Sequence, residues 1–147
     1  MPTNLRERGE WRQFDKDALL FAIGDCPKNI YFIVQGEVRL RRHTLEGTEM
    51  VMQRARNTFL AEASLESATY HCDAIVSEAV LALAFPVSDF RIALTDCPNF
   101  RTKWISHLLR EVRRARAQVE RQGLRNAGDR ILHYLETECP SGQLQLS

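Results

Sequence analysis

Ile30-Tyr31-Phe32-Ile33-Val34-Gln35-Gly36-Glu37-Val38-Arg39-Leu40-Arg41-Arg42 is the stretch on which the fold turns. Its first half is a short apolar run rich in β-branched and aromatic residues, which suits a buried strand. Its second half alternates apolar and basic residues, and a period of two places Val38 and Leu40 inward with the arginines in water. Gln35-Gly36-Glu37 between the halves is expected to turn the chain from one strand into the next.

Working outward, Gly9, Gly24, Gly36 and Gly47 punctuate the first third, and no glycine follows until Gly123. Turn residues at such spacing, between segments rich in Ile, Val, Phe and Tyr, predict short antiparallel strands. Glu46-Gly47-Thr48 turns the chain before Met50-Val51-Met52, and a further strand pair is read at Ala74-Ile75-Val76 and Val80-Leu81-Ala82-Leu83-Ala84-Phe85, closed by Pro86. The segment up to Phe85 is therefore expected to form an all-β sandwich or roll.

From Pro86 the period changes. Val87 to Leu94 reads as a short helix with Ser88 or Asp89 as N-cap, and Asn99 is expected to cap a longer helix that meets no Gly or Pro before Gln122. Within it Ile105, Leu108, Val112, Ala115, Val119 and Gln122 recur at alternating spacings of 3 and 4, the seam of two helices paired along their length. The alternative is one amphipathic helix packed on its own domain. Arg110, Arg113, Arg114, Arg116 and Arg121 occupy the remaining circumference and leave only a narrow apolar stripe, which favours the paired seam. A short helix over 129–136 is expected after Gly123 and Gly128, ended by Cys139-Pro140-Ser141-Gly142.

The 147 residues suit one domain, and 44% apolar with 27% charged residues at a net charge of +1 is ordinary globular composition. No run is long enough to span a membrane, and Met1-Pro2-Thr3-Asn4-Leu5-Arg6-Glu7-Arg8 lacks the apolar core of a signal peptide, so a cytoplasmic protein without membrane contact is expected. Cys26, Cys72, Cys97 and Cys139 stand singly, with neither a disulfide framework nor a metal-ligand spacing.

Three segments in this order carry a family resemblance: Ile30 to Val38, then Phe59-Leu60-Ala61-Glu62-Ala63-Ser64-Leu65, then the long helix ending in Arg125-Asn126-Ala127-Gly128-Asp129-Arg130-Ile131. The sequence resembles the Crp/Fnr family of bacterial transcription regulators, namely its cyclic-nucleotide-binding-like sensor domain and dimerisation helix. The fold implied is mainly β with α, an antiparallel eight-strand double-stranded β-roll (jelly roll) followed by a long dimerisation helix. It implies a sensor over residues 1–97, a dimerisation helix and hinge over 98–126, and over 127–147 the first helix of a DNA-binding domain otherwise absent. Its partners would be a second copy, a small-molecule effector of unknown identity, and DNA through the missing helix-turn-helix.

Members that bind cyclic nucleotides use a Gly-Glu-(Leu or Ala) turn and an Arg-(Ser or Thr)-Ala stretch, the arginine holding the phosphate. Residue by residue these fall on Ala61-Glu62-Ala63, followed by Ser64, and on Cys72-Asp73-Ala74. The glutamate is kept; the arginine and the hydroxyl are not. One charge-assisted bond to phosphate is worth about 1.5–3 kcal/mol, and Asp73 adds like charge. Ala115 and Arg116 stand where cyclic-AMP-binding members carry hydroxyl residues. Cyclic AMP is therefore disfavoured as the ligand. His71 and Cys72, adjacent in sequence, are expected to face opposite sides if they lie on a strand.

An iron–sulfur sensor needs clustered N-terminal cysteines, and only Cys26 occurs in the first seventy residues. Haem is an alternative with His71, Cys72, Cys97 or His107 as axial candidates, and a ligand-free dimerisation module is another. An enzyme is not expected: His43, His71, His107 and His133 form no cupin-like set, and no nucleophile turn or phosphate loop is present. The arginines of the long helix invite a nucleic-acid reading, against which stands the ordinary solvated helix face.

Overall fold

The computed structural model describes residues 1–123 and 127–138. Contacts divide the chain into two compact units, the first running from Met1 to Trp104 and the second starting at Ile105.

The first unit opens with a short helix α1 (Thr3–Arg8), held by the buried side chain of Leu5. Six strands follow among the described residues: β1 (Glu10–Phe14), β2 (Leu19–Phe21), β3 (Asn29–His43), β4 (Glu49–Ala55), β5 (Phe59–Leu60) and β6 (Asp73–Pro86). They form one antiparallel sheet with the path β1-β6-β3-β4, while β2 also pairs with β6 and β5 with β3. The mixed β/α class and the roll-then-helix order match the expectation; the strand count does not.

The turn expected at Gln35-Gly36-Glu37 is not there. β3 runs unbroken through it, pairing with β6 from Asn29↔Pro86 to Arg41↔Asp73, and the register shifts at Gln35 and Glu37. Gly36 sits at φ +83°, and a Cβ there would lie 2.1 Å from the carbonyl oxygen of Ala79, so the two backbones approach so closely that only glycine fits. β6 likewise replaces the predicted pair 74–76 and 80–85 with one strand. The middle of each long strand bends instead of reversing, so six strands fill the place of eight.

This bend sets Glu37 opposite Glu78 across the ladder. Arg56 resolves the like charges: its Nε donates to Glu37 at 2.9 Å and its Nη1 to Glu78 at 3.0 Å, while Arg54 Nη1 donates to the other Glu37 oxygen at 3.0 Å. These bonds hold the Glu78 carboxyl below its ordinary value and raise Arg56. On the second half of β3, Val38 is fully buried and Leu40 packs on the core. Arg39 and Arg41 are not bare in water as the alternation suggested. Both are half-buried and both donate to Glu49, at 2.8 and 3.4 Å, because the β3–β4 turn over Gly47 brings that carboxylate alongside.

Helix α2 (Val87–Asp96) follows β6 directly; its N-cap residue is Pro86, and neither Ser88 nor Asp89 caps it. Helix α3 (Pro98–Gly123) begins with Pro98 at its first position, so Asn99 lies inside the helix and does not cap it. The rings of Phe59, Phe90, Phe100 and Trp104 meet with centroids 4.7 to 5.8 Å apart, mostly edge to face, and fix α2 and the first turns of α3 onto the sheet.

The second unit holds the rest of α3 and helix α4 (Ala127–Glu138). Glu120 meets His133 Nε2 at 2.5 Å, Arg121 lies 5.0 Å from the Tyr134 ring centre, and Arg121 approaches Glu138 at 3.6 Å. Most of the expected hinge between Gly123 and Gly128, and the stop at Cys139-Pro140-Ser141-Gly142, lie outside the described residues. Among the described residues no helix is long and apolar enough to cross a membrane.

Candidate functional site

β5 delivers the chain to Ala61, which takes the left-handed conformation at φ 73°, and a 3-10 turn follows over Glu62–Leu65. A left-handed alanine is strained by roughly 1–2 kcal/mol, and glycine removes that strain. Ala61 therefore holds a backbone conformation that glycine would adopt without strain. Arg91 of α2 donates to the carbonyl oxygen of Leu65 and ties the turn to the helix. Ala61 is buried, Glu62 half-buried and Ala63 exposed; the side chain of Ser64 lies outside the described residues.

The second stretch comes to the same region of the roll. Ala74 is fully buried in the cluster that contains Ala61, and Cys72 packs against it from the edge. Burial pushes the Cys72 thiol above its ordinary value of 9.0, against a smaller downward effect of the Arg42 charge. His71 is exposed and its Nε2 lies 2.9 Å from Ser67 Oγ; both His71 and Cys72 precede β6, so the strand alternation expected to set them on opposite faces does not reach them.

Asp73 has a task that the sequence did not reveal. Its Oδ1 accepts the backbone N–H of Ile23 at 2.8 Å. Gly24 N–H donates to Tyr70 O and Tyr70 N–H to Asp25 O, both at 3.0 Å, so the loop after β2 is laced to the segment preceding β6. The interior beside Ala61 and Ala74 is filled by rings. Phe21 stacks on Tyr70 at 3.8 Å between centroids and on Tyr31 at 6.4 Å, and all three are buried. No signal in the linear sequence marked these three rings as neighbours.

In the second unit the seam lies open in the single chain. Ile105, Val112 and Val119 are 51%, 45% and 69% exposed, Ala115 and Gln122 are exposed, and Leu108 is half-buried. Leu109, outside the expected seam, adds a further exposed apolar side chain. At about 100° per residue, Arg110 and Arg114 lie on nearly the opposite side of α3 from Val112 and Val119. With Arg113 and Arg116 they border a cleft of about 390 Å3 against Thr137 and Glu138 of α4.

A family model described as cyclic nucleotide-binding domain matches residues 11–96. An uncharacterized protein of Haemophilus influenzae is 33% identical over 92 residues, covering 58% of this chain and 70% of that protein. A global nitrogen regulator of Synechocystis is 25% identical over 132 residues, and the chain, matched over 86% of its length, spans only 58% of that regulator. Among solved structures, the c-di-GMP responsive global regulator CLP of Xanthomonas campestris matches with a TM-score of 0.73 at 17% identity, over 95% of this chain and 72% of that one, a likeness of fold. The chain belongs to the cyclic nucleotide-binding domain family, and its roll is followed by a long helix.

Proposed function

We propose that this chain is the ligand-sensing and dimerisation part of a Crp/Fnr-like, DNA-binding transcription regulator of the cytoplasm, acting by binding and not by catalysis. The observation that carries the reading is the uncovered apolar stripe of α3, exposed at Ile105, Val112 and Val119 in a long helix that follows a cyclic-nucleotide-binding-like roll and the short helix α2. An exposed stripe of this spacing on an otherwise charged helix is what a second copy buries. On this reading Ile105, Leu108, Val112, Ala115, Val119 and Gln122 form the seam of a homodimer. DNA contact belongs to a helix-turn-helix domain whose first helix is α4.

The effector pocket on this reading is the turn and strand start formed by Ala61, Glu62, Ala63, Ser64, Cys72, Asp73 and Ala74. Cyclic AMP does not fit it. The position of the phosphate-holding arginine is a half-buried thiol whose pKa is raised, and Asp73 spends one oxygen on the Ile23 N–H. Sedimentation tests the dimer: the chain is expected to run as a dimer and Leu108→Asp/Val112→Asp as a monomer. A persistent dimer in the double variant would mean that another surface pairs the chains. In calorimetry cyclic AMP and cyclic GMP are expected to give no heat of binding at micromolar concentrations.

A further inference from the structure

The roll has lost its phosphate-holding arginine at Cys72, yet cationic charge is gathered a short way off on the same unit. Arg41, Arg42 and His43 follow one another at the end of β3, and with Ile23, Met50 and Asp73 they line a cleft of about 380 Å3. The ladder builds it: Arg41 stands opposite Asp73 of β6, and Arg42 opposite Met50 of β4.

The guanidinium of Arg41 is only partly satisfied. Its Nη1 reaches Glu49 at 3.4 Å, but its Nε is buried without a hydrogen-bond partner among the described residues. Asp73 Oδ2 forms an ion pair with it at 3.8 Å, a distance too long for a hydrogen bond. A buried donor with no acceptor is costly, and such an atom marks a place where an acceptor belongs. Arg42 is exposed, and among the described residues no acid pairs with it. Arg41 is offset by its ion pairs with Glu49 and Asp73, so the positive excess among the charges lining the cleft rests on Arg42. Its other wall is apolar: Ile23 and Met50 are 51% and 42% exposed at its rim.

We infer that this cleft is a second ligand site, sharing only Asp73 with the family pocket, which binds a small phosphate monoester carrying an apolar substituent. Arg41 and Arg42 take the phosphate oxygens, with His43 as a further donor, and Ile23 and Met50 cover the substituent. Guanidinium groups suit phosphate because their N–H groups meet its oxygens in pairs.

The test is calorimetric titration of the chain with phenyl phosphate and with inorganic phosphate at constant ionic strength. Phenyl phosphate is expected to bind saturably, one per chain, and more tightly than inorganic phosphate. Arg42→Gln, at an exposed position, should weaken it about tenfold or more while leaving the melting temperature in place. Met50→Ser should erase the preference for phenyl phosphate over inorganic phosphate. Glu62→Gln, in the family pocket, should change neither. Absence of saturable binding, or equal affinity in the wild type and Arg42→Gln, would overturn the site. Loss on Glu62→Gln with Arg42→Gln unaffected would also overturn it and place the ligand in the family pocket, while the dimer seam is tested separately by sedimentation.

Discussion

Gly36 and Gly47 both lie at positive φ, yet their surroundings differ in a way that separates two costs. A Cβ on Gly47 would meet nothing within 4 Å, so alanine there bears only the backbone penalty of a left-handed residue, about 1–2 kcal/mol. At Gly36 the added carbon would collide with the Ala79 carbonyl, and neither strand can yield without opening the β3–β6 ladder. Urea denaturation should therefore show Gly36→Ala losing clearly more stability than Gly47→Ala. Equal losses would mean that the approach of the two strands is looser than described. Ala61 is the reverse case, a residue with a Cβ retained where the backbone asks for none.

Among the elements, α2 depends most on one side chain. Phe90 is fully buried and its ring contacts those of Phe59, Phe85, Phe100 and Trp104, so it joins β5, β6, α2 and α3. Phe90→Ala is expected to cost about 3–5 kcal/mol in chemical denaturation, since removing a large ring loses transfer energy and leaves a cavity. The long helix was legible in the sequence because spacings of 3 and 4 have no strand counterpart, whereas α1, too short to show such a period, was not. The starts of α2 and α3 were not: Pro86 and Pro98 set them, and the polar residues read as caps fall inside. β3, β4 and β6 were legible as apolar segments but not as lengths, because a glycine that lets two backbones approach closely looks the same in sequence as one that turns a hairpin; the short strands β1, β2 and β5 were not read individually. The turn at Ala61 and Glu62 was legible through resemblance. The bond from Ile23 N–H to Asp73 was not, since its partners are separated by 50 positions and nothing local announces them.

At the scale of the whole molecule, a net charge of +1 conceals a carboxylate economy concentrated on the sheet. Hydrogen bonds from Arg39, with Arg41 adding to them, hold Glu49 below its ordinary value of 4.5, and those from Arg56 do the same for Glu78. A carboxyl whose folded pKa is depressed contributes stability above its unfolded value, and that contribution is lost as pH falls through the folded one. Stability from urea midpoints should thus be flat between about pH 5 and 7 as far as these groups decide it, and fall below about pH 4.5. Because both carboxylates are exposed, the effect is modest and should shrink in high salt. Arg39→Gln removes the main donor to Glu49 and should flatten part of the acid limb.

The β3–β6 ladder, which bends without reversing, also bears on how the chain reaches this state. It pairs Asn29 with Pro86 at one end and Arg41 with Asp73 at the other, so no part of it is closed by a short hairpin. Every rung waits on the closure of a long loop before any contact repays the lost chain entropy. Proteins whose contacts are mostly of this non-local kind refold in milliseconds to seconds, not microseconds. The two strands that organise the sheet are therefore expected to be late to join in refolding, after β4 has already folded back on β3 across Gly47.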